Sequence, residues 1–164
     1  MSREYSVVGQ NITVASAAVT LVAINPAANR VIEIIRAWVS QNANATSAQL
    51  GISLGTKASA FSTLVSATPE KLKTSDPASL ITGGTAGAAG TAGINASAEG
   101  AGTYTPKYPD NFNALQGWLW TPSLAGGESF IISGADSLAF AMKFQAVPAT
   151  LSGWSFGVTY RELG

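Results

Sequence analysis

The sequence WSFGVTYR, residues 154–161, decides the fold class of this chain. Large apolar side chains alternate in it with small or polar ones, and the large ones are Trp154, Phe156, Val158 and Tyr160. Successive side chains of an extended strand point to opposite faces, so these four share one face. The pattern predicts a β-strand with one side packed on a core.

The same alternation occurs in LAFAMKF (residues 138–144) and in LGISL (residues 50–54), and shorter runs of this kind are spread along the chain. The run RVIEIIRAWVSQ, residues 30–41, also fits a helical stripe, but its β-branched residues and its proline-containing lead-in favour a strand. Eight or nine strands at this spacing predict an all-β single domain over residues 1–164, built as an antiparallel sandwich or barrel.

One segment breaks the pattern. Residues 82–103, TGGTAGAAGTAGINASAEGAGT, consist almost entirely of small residues, and the proline- and aromatic-rich stretch YTPKYPDNF (residues 104–112) follows. Such a composition offers little apolar area to offset the entropy of ordering. We therefore expect a long loop over residues 82–112, either a flexible surface loop or an arm that orders against a neighbouring subunit. Residues 1–5 form a second expected arm.

The chain contains no histidine and no cysteine, and 11% of its residues are charged, against about 25% in an average domain. It lacks the commonest general base and the commonest metal ligands, and its lysines and carboxylates show no catalytic spacing. We predict a non-enzymatic protein without cofactor or metal. Nine basic residues balance nine acidic ones, which argues against nucleic-acid binding. No apolar run predicts a membrane span or an export signal.

The four tryptophans divide into two pairs. Trp38 and Trp154 are predicted core residues, because a sandwich of this size needs a large apolar core. Trp118 and Trp120 share one face of a short strand, and Leu119 occupies the other face. Both faces of that strand are apolar, but a two-layer core buries only one of them. The other face must therefore be buried against something outside the core. Either another subunit or a sugar ring would supply that cover.

Three segments carry a family resemblance, namely EYSVV (residues 4–8), IEIIRAWVSQ (residues 32–41) and GVTYRELG (residues 157–164). With them, the chain resembles the capsid decoration, or cement, proteins of tailed bacteriophages, which have a jelly-roll-like body. The resemblance implies a non-enzymatic clamp that sits as a trimer, or sometimes a dimer, on the outer face of the capsid. It implies the major capsid protein as partner, stabilisation of the mature shell as function, and the virion surface as location after synthesis in the host cytoplasm.

The expected contact surface combines the two arms with the apolar strand. The candidate interface residues are Arg3, Glu4, Tyr5, Tyr104, Tyr108, Phe112, Trp118 and Trp120. An alternative function is a carbohydrate- or receptor-binding sandwich of a phage head fibre or tail adhesin. The Trp118 and Trp120 pair is the only sequence support for that alternative.

Overall fold

The structure is a computed structural model, and it describes residues 3–43, 46–58, 63–123 and 129–163. The described residues contain one 3-10 turn (Gly134–Asp136) and thirteen strands: β1 (Arg3–Ile12), β2 (Thr20–Asn25), β3 (Val31–Gln41), β4 (Gln49–Lys57), β5 (Thr63–Ser66), β6 (Glu70–Lys71), β7 (Thr82–Gly83), β8 (Thr91–Ala98), β9 (Tyr104–Asn113), β10 (Trp118–Trp120), β11 (Phe130–Ser133), β12 (Ala139–Phe144) and β13 (Trp154–Glu162). The expected eight or nine strands are too few, because several pairing segments are only two to four residues long.

The strands form two sheets. Sheet A has the order β10-β3-β13-β1-β6, and β11 pairs with β3 beyond β10. Sheet B has the order β5-β8-β2-β12-β4-β9, and the short β7 runs parallel to β8. All other pairings are antiparallel. The prediction of an all-β antiparallel sandwich is confirmed.

The core lies between the two sheets. Alternation in β13 places its four large residues on the inner face, and all four are fully buried. Aromatic contacts join the sheets: among them, Phe144 of β12 meets Trp154 of β13 at 4.8 Å and Phe140 of β12 meets Phe130 of β11 at 5.5 Å between ring centroids. Edge-to-face rings at these separations are favourable beyond their buried area.

A bulge in β3 changes which of its residues face the core. Thr159 of β13 pairs with Arg36, but the next residue, Tyr160, pairs with Ile34, so Ile35 has no partner of its own. An extra residue in one strand reverses the in–out alternation beyond it. The run over residues 30–41 is a strand as predicted, but its two halves follow opposite alternation.

The expected N-terminal arm over residues 1–5 is wrong for residues 3–5. Arg3 begins β1, which pairs with β13 from its first residue, and Tyr5 is fully buried beside Tyr160 at 5.7 Å between ring centroids. Residues 1 and 2 lie outside the described residues. Strand β1 has hydrogen-bonded neighbours on both sides, which an arm reserved for another subunit would lack.

The expected loop over residues 82–112 is also wrong for most of its length, because only residues 84–90 and 99–103 lie outside the strands. Strand β8 lies between β2 and β5 inside sheet B, and β9 pairs with β4 along its whole length. The loop was expected because the segment itself has little apolar area, and composition does not show the strands with which it pairs. A strand inside a sheet is held by two hydrogen-bonded ladders, and its small side chains allow other parts of the chain to pack against it.

Phe140→Ala tests the packing between the sheets. The ring is fully buried, so its removal leaves a cavity, and we expect a loss of about 3–5 kcal/mol in the free energy of unfolding. Urea denaturation, monitored by tryptophan fluorescence, measures this change in the free energy of unfolding. Leu119→Ala is the control, because Leu119 is 60% exposed and should change stability by less than about 1 kcal/mol. Equal effects of the two substitutions would contradict the assigned core.

Candidate functional site

The outer face of sheet B, directed away from sheet A, is closed by the chain itself. Ala23 and Ala141 lie on this face and are nevertheless buried. At one end of the face Leu64 packs over Gly93, and at the other end the ring of Tyr104 lies over Gly55. A Cβ atom at Gly55 would lie 2.7 Å from the Tyr104 hydroxyl oxygen, so only glycine allows this approach.

Glu99 fastens the connection between β8 and β9 to this face. Its Oε1 accepts hydrogen bonds from the backbone N–H of Val19 at 2.7 Å and of Thr20 at 2.9 Å, and its Oε2 accepts one from the Thr20 hydroxyl at 2.8 Å. The Lys143 ammonium lies 3.2 Å from Oε2, and the Lys57 ammonium donates to the Glu99 backbone carbonyl. One carboxylate therefore joins the connection to β2 and β12.

Burial and pairing shift the pKa values in this cluster. Burial alone would raise the pKa of Glu99, but the hydrogen bonds from Val19 and Thr20 and the Lys143 charge outweigh it and hold the pKa below its ordinary value. Burial lowers the pKa of Lys57 despite the neighbouring Glu99 carboxylate. Burial also raises the pKa of Tyr104 to about 12, and its hydroxyl shares a 2.8 Å hydrogen bond with Ser53.

The outer face of sheet A is open, and it carries an apolar row. The row crosses four strands at one level, and its members from β10 to β1 are Leu119, Trp38, Gly157 and Val8. Leu119 and Val8 are exposed. The six-membered ring of Trp38 extends over Gly157, where a Cβ atom would lie 2.3 Å from the indole Cζ2. We refer to these four residues as the Trp38 row.

The second apolar area lies at the end of sheet A where β1 begins and β13 finishes. Its exposed members, here named the end patch, are Leu72, Leu80, Ile131 and Leu163. Hydrogen bonds tie three of them to this end: Leu72 N–H donates to the Glu4 carbonyl, Leu80 N–H to the Glu162 carboxylate, and Leu163 N–H to the Val31 carbonyl. Ile131 pairs with Glu33 in β3.

A charged row separates members of the end patch. Arg161 lies 3.0 Å from a carboxylate oxygen of Glu4 and 3.2 Å from one of Glu33, and the Ser129 hydroxyl donates to Glu33 at 3.1 Å. The three charged side chains lie side by side on β1, β13 and β3. Since the arginine is shared by two carboxylates, the row is internally paired, and the apolar side chains beside it are about half exposed.

The long edge strand β9 is unsuited to pairing with another chain. Pro106 and Pro109 lie in its middle, opposite Gly55 and Ser53 of β4. Proline has no N–H to donate, and natural proteins use it to protect sheet edges. A partner is therefore expected on a sheet face rather than along this edge.

Three of the eight predicted interface residues belong to the core. Tyr5, Phe112 and Trp118 are buried, and the Trp118 indole N–H donates to an Asp110 carboxylate oxygen at 2.9 Å. They pack inward because the strands that hold them contribute these positions to the inner faces of the sheets. Trp118 cannot carry a stacked sugar in this position.

The other five predicted residues do not form one surface. Trp120 and Tyr108 contact each other at 5.2 Å between ring centroids, and both pack near Phe130. Tyr104 lies on the closed face of sheet B. Only Arg3, which is exposed, and Glu4, in the charged row, lie near the end patch.

Trp38 is the functional candidate that sequence reasoning placed wrongly. Predicted as a core residue, it lies instead on the outer face of sheet A, and its ring lies 5.0 Å from the Arg36 guanidinium. A local signal was available, because Arg36, Trp38 and Ser40 alternate and therefore share one face. The bulge at Ile35 hid it by reversing the alternation of the preceding half-strand.

The described residues hold no candidate metal site. No group of three or more acidic, histidine or cysteine side chains within them has the geometry to hold a metal ion. The described part of the chain also has no helix with the length and apolarity to cross a membrane. Comparisons of the chain with models of protein families, with curated proteins and with solved structures found no match.

Glu99→Gln tests the closure of sheet B. The amide keeps the shape of the carboxylate but loses its charge. We therefore expect the free energy of unfolding at pH 7 to fall by about 1–3 kcal/mol. Because the folded-state pKa of Glu99 is lowered, its stabilisation is present above its ordinary pKa of 4.5 and is lost as the pH falls through the folded value. The stability difference between wild type and variant should therefore shrink in acid.

Urea denaturation at pH 7 and at pH 3 measures this difference. Glu70→Gln, at an exposed position of β6, is the matched control and should leave stability nearly unchanged at both pH values. A Glu99→Gln variant as stable as wild type at pH 7, or a difference that persists unchanged in acid, would contradict the assigned role.

Proposed function

We propose that this chain is a non-enzymatic structural protein of a phage virion, a capsid decoration protein that docks on the outer face of the shell through the end patch. The observation that supports the proposal is that the outer face of sheet B is covered, whereas the outer face of sheet A is exposed. Sheet B covers its own outer face, whereas sheet A leaves exposed apolar side chains beside an internally paired charged row. Exposed apolar side chains grouped at one end of a sheet favour contact with another macromolecule.

The charge distribution favours a protein partner. Basic and acidic residues balance over the chain, and Glu4, Arg161 and Glu33 are already paired with one another. Such a surface has no basic field to attract nucleic acid. Protein interfaces combine apolar area with hydrogen-bonded polar groups, and the end patch with its charged row offers both.

The capsid as partner comes from the resemblance to decoration proteins, and so do the jelly-roll connection order and the homotrimer. A clamp of this kind stabilises the mature shell by binding it and not the immature shell, which is a linkage effect. Because many copies bind one particle, modest contacts by each copy sum to a large stabilisation of the shell. A clean monomer both in solution and on the particle would remove the trimer from the proposal.

Binding to expanded capsids from which this protein has been stripped tests the function. We expect saturable binding at symmetry-related positions, seen by cryo-electron microscopy, and a higher melting temperature of the particle. Ile131→Glu and Leu163→Glu should each weaken binding at least about tenfold, because a charge would enter a desolvated contact.

Val147→Glu is the matched control, since Val147 is exposed to a similar degree but lies between β12 and β13, outside the end patch. It should bind like wild type. Failure of the wild-type protein to bind stripped, expanded capsids would refute the decoration function. Equal loss of binding in all three variants would refute the end patch as the contact surface.

A further inference from the structure

A shallow depression of about 270 Å³ adjoins the Trp38 row where β3 meets β10. Its lining includes Arg36, Trp38, Ser40, Gln116, Gly117 and Leu119. The Trp38 row lies about 13 Å along the strands from the charged row of the end patch, since four residues of a strand span that distance. Arg36 lies between the two rows, and the depression is centred on the Trp38 row rather than on the proposed capsid contact.

The lining combines an aromatic ring with hydrogen-bonding side chains. Trp38 and Leu119 provide apolar walls, and Ser40 and Gln116 provide hydroxyl and amide groups. A pyranose ring has the matching chemistry, because its C–H face packs on an aromatic ring while its hydroxyls hydrogen-bond to polar side chains. Small-molecule sites typically consist of apolar walls with a few placed polar groups.

The charge of the lining favours an acidic ligand. Arg36 is exposed, its guanidinium lies over the Trp38 ring at 5.0 Å from the ring centroid, and no lining residue is a carboxylate. Among the described residues, no carboxylate oxygen lies within ion-pair distance of Arg36, in contrast to Arg161, which is paired twice. A guanidinium binds a carboxylate through two parallel hydrogen bonds.

We propose that the depression binds an acidic saccharide, a pyranose unit that bears a carboxylate. Trp38 packs against the ring of the sugar, Arg36 binds its carboxylate, and Ser40 and Gln116 bind its hydroxyls. This site goes beyond capsid docking, and neither activity requires the other.

Titration with tetragalacturonate, followed by ¹H–¹⁵N spectra of the four tryptophan indoles, tests the proposal. We expect a saturable shift of the Trp38 indole resonance, assigned with Trp38→Phe, and a smaller change at Trp154, which is buried and lies outside the lining of the depression. Fully methyl-esterified tetragalacturonate is the matched probe, since it has the same sugar rings without the negative charges. It should bind at least about tenfold more weakly.

Two arginine substitutions separate a specific site from general charge attraction. Arg36→Gln should weaken tetragalacturonate binding at least about tenfold. Arg3→Gln removes the same charge from the far end of sheet A and should leave binding unchanged. Ile131→Glu should also bind the saccharide normally, which distinguishes failure of this site from failure of the capsid contact.

Three results would overturn the proposal. The first is no shift of the Trp38 resonance up to about 10 mM tetragalacturonate, a concentration that reveals millimolar affinities. The second is equal binding of the acid and its methyl ester. The third is equal weakening by Arg36→Gln and Arg3→Gln.

Discussion

The pairing of β13 with both β3 and β1 is the interaction on which the rest of the structure depends. It joins the last described strand of the chain to the first, and its inner face places Trp154 and Tyr160 in the core. The indole of Trp154 meets Phe144 of the opposite sheet, so the same strand also links the two layers. Because most contacts of this strand connect residues distant in sequence, sheet A cannot form from local segments alone.

The outer face of sheet B is covered and that of sheet A is exposed, because the glycines of the two sheets make room for different side chains. On sheet B, Gly55 and Gly93 make room for Tyr104 and Leu64, and the Glu99 carboxylate fastens the covering connection. On sheet A, Gly157 makes room only for the ring of Trp38, which remains at the surface. The two faces therefore differ in cover: one is closed by the chain itself, and the other is open and carries an apolar row beside charged side chains.

The open face is divided along the strands, which allows two contacts on one sheet. The end patch surrounds charges that are already paired, and this suits a protein partner that excludes water. The Trp38 row adjoins a shallow depression whose arginine has no carboxylate partner among the described residues, and this suits an anionic ligand. A protein on the outside of a particle would in this way hold the shell with one end of the sheet and present the other to its surroundings.

Period-two alternation in the sequence was enough to determine the all-β class, the inner faces of β12 and β13, and the strand over residues 31–41, because a strand with one buried face must alternate. Composition misjudged residues 82–112, since β8 and β9 are held by ladders to distant strands that no local count includes. The outward position of Trp38 had a local signal in Arg36 and Ser40, but the bulge at Ile35 that hid this signal and the packing of Trp118 inward to Asp110 were decided by tertiary structure. Which face of a strand meets the core depends on register with its partners, and register is a property of the assembled sheet.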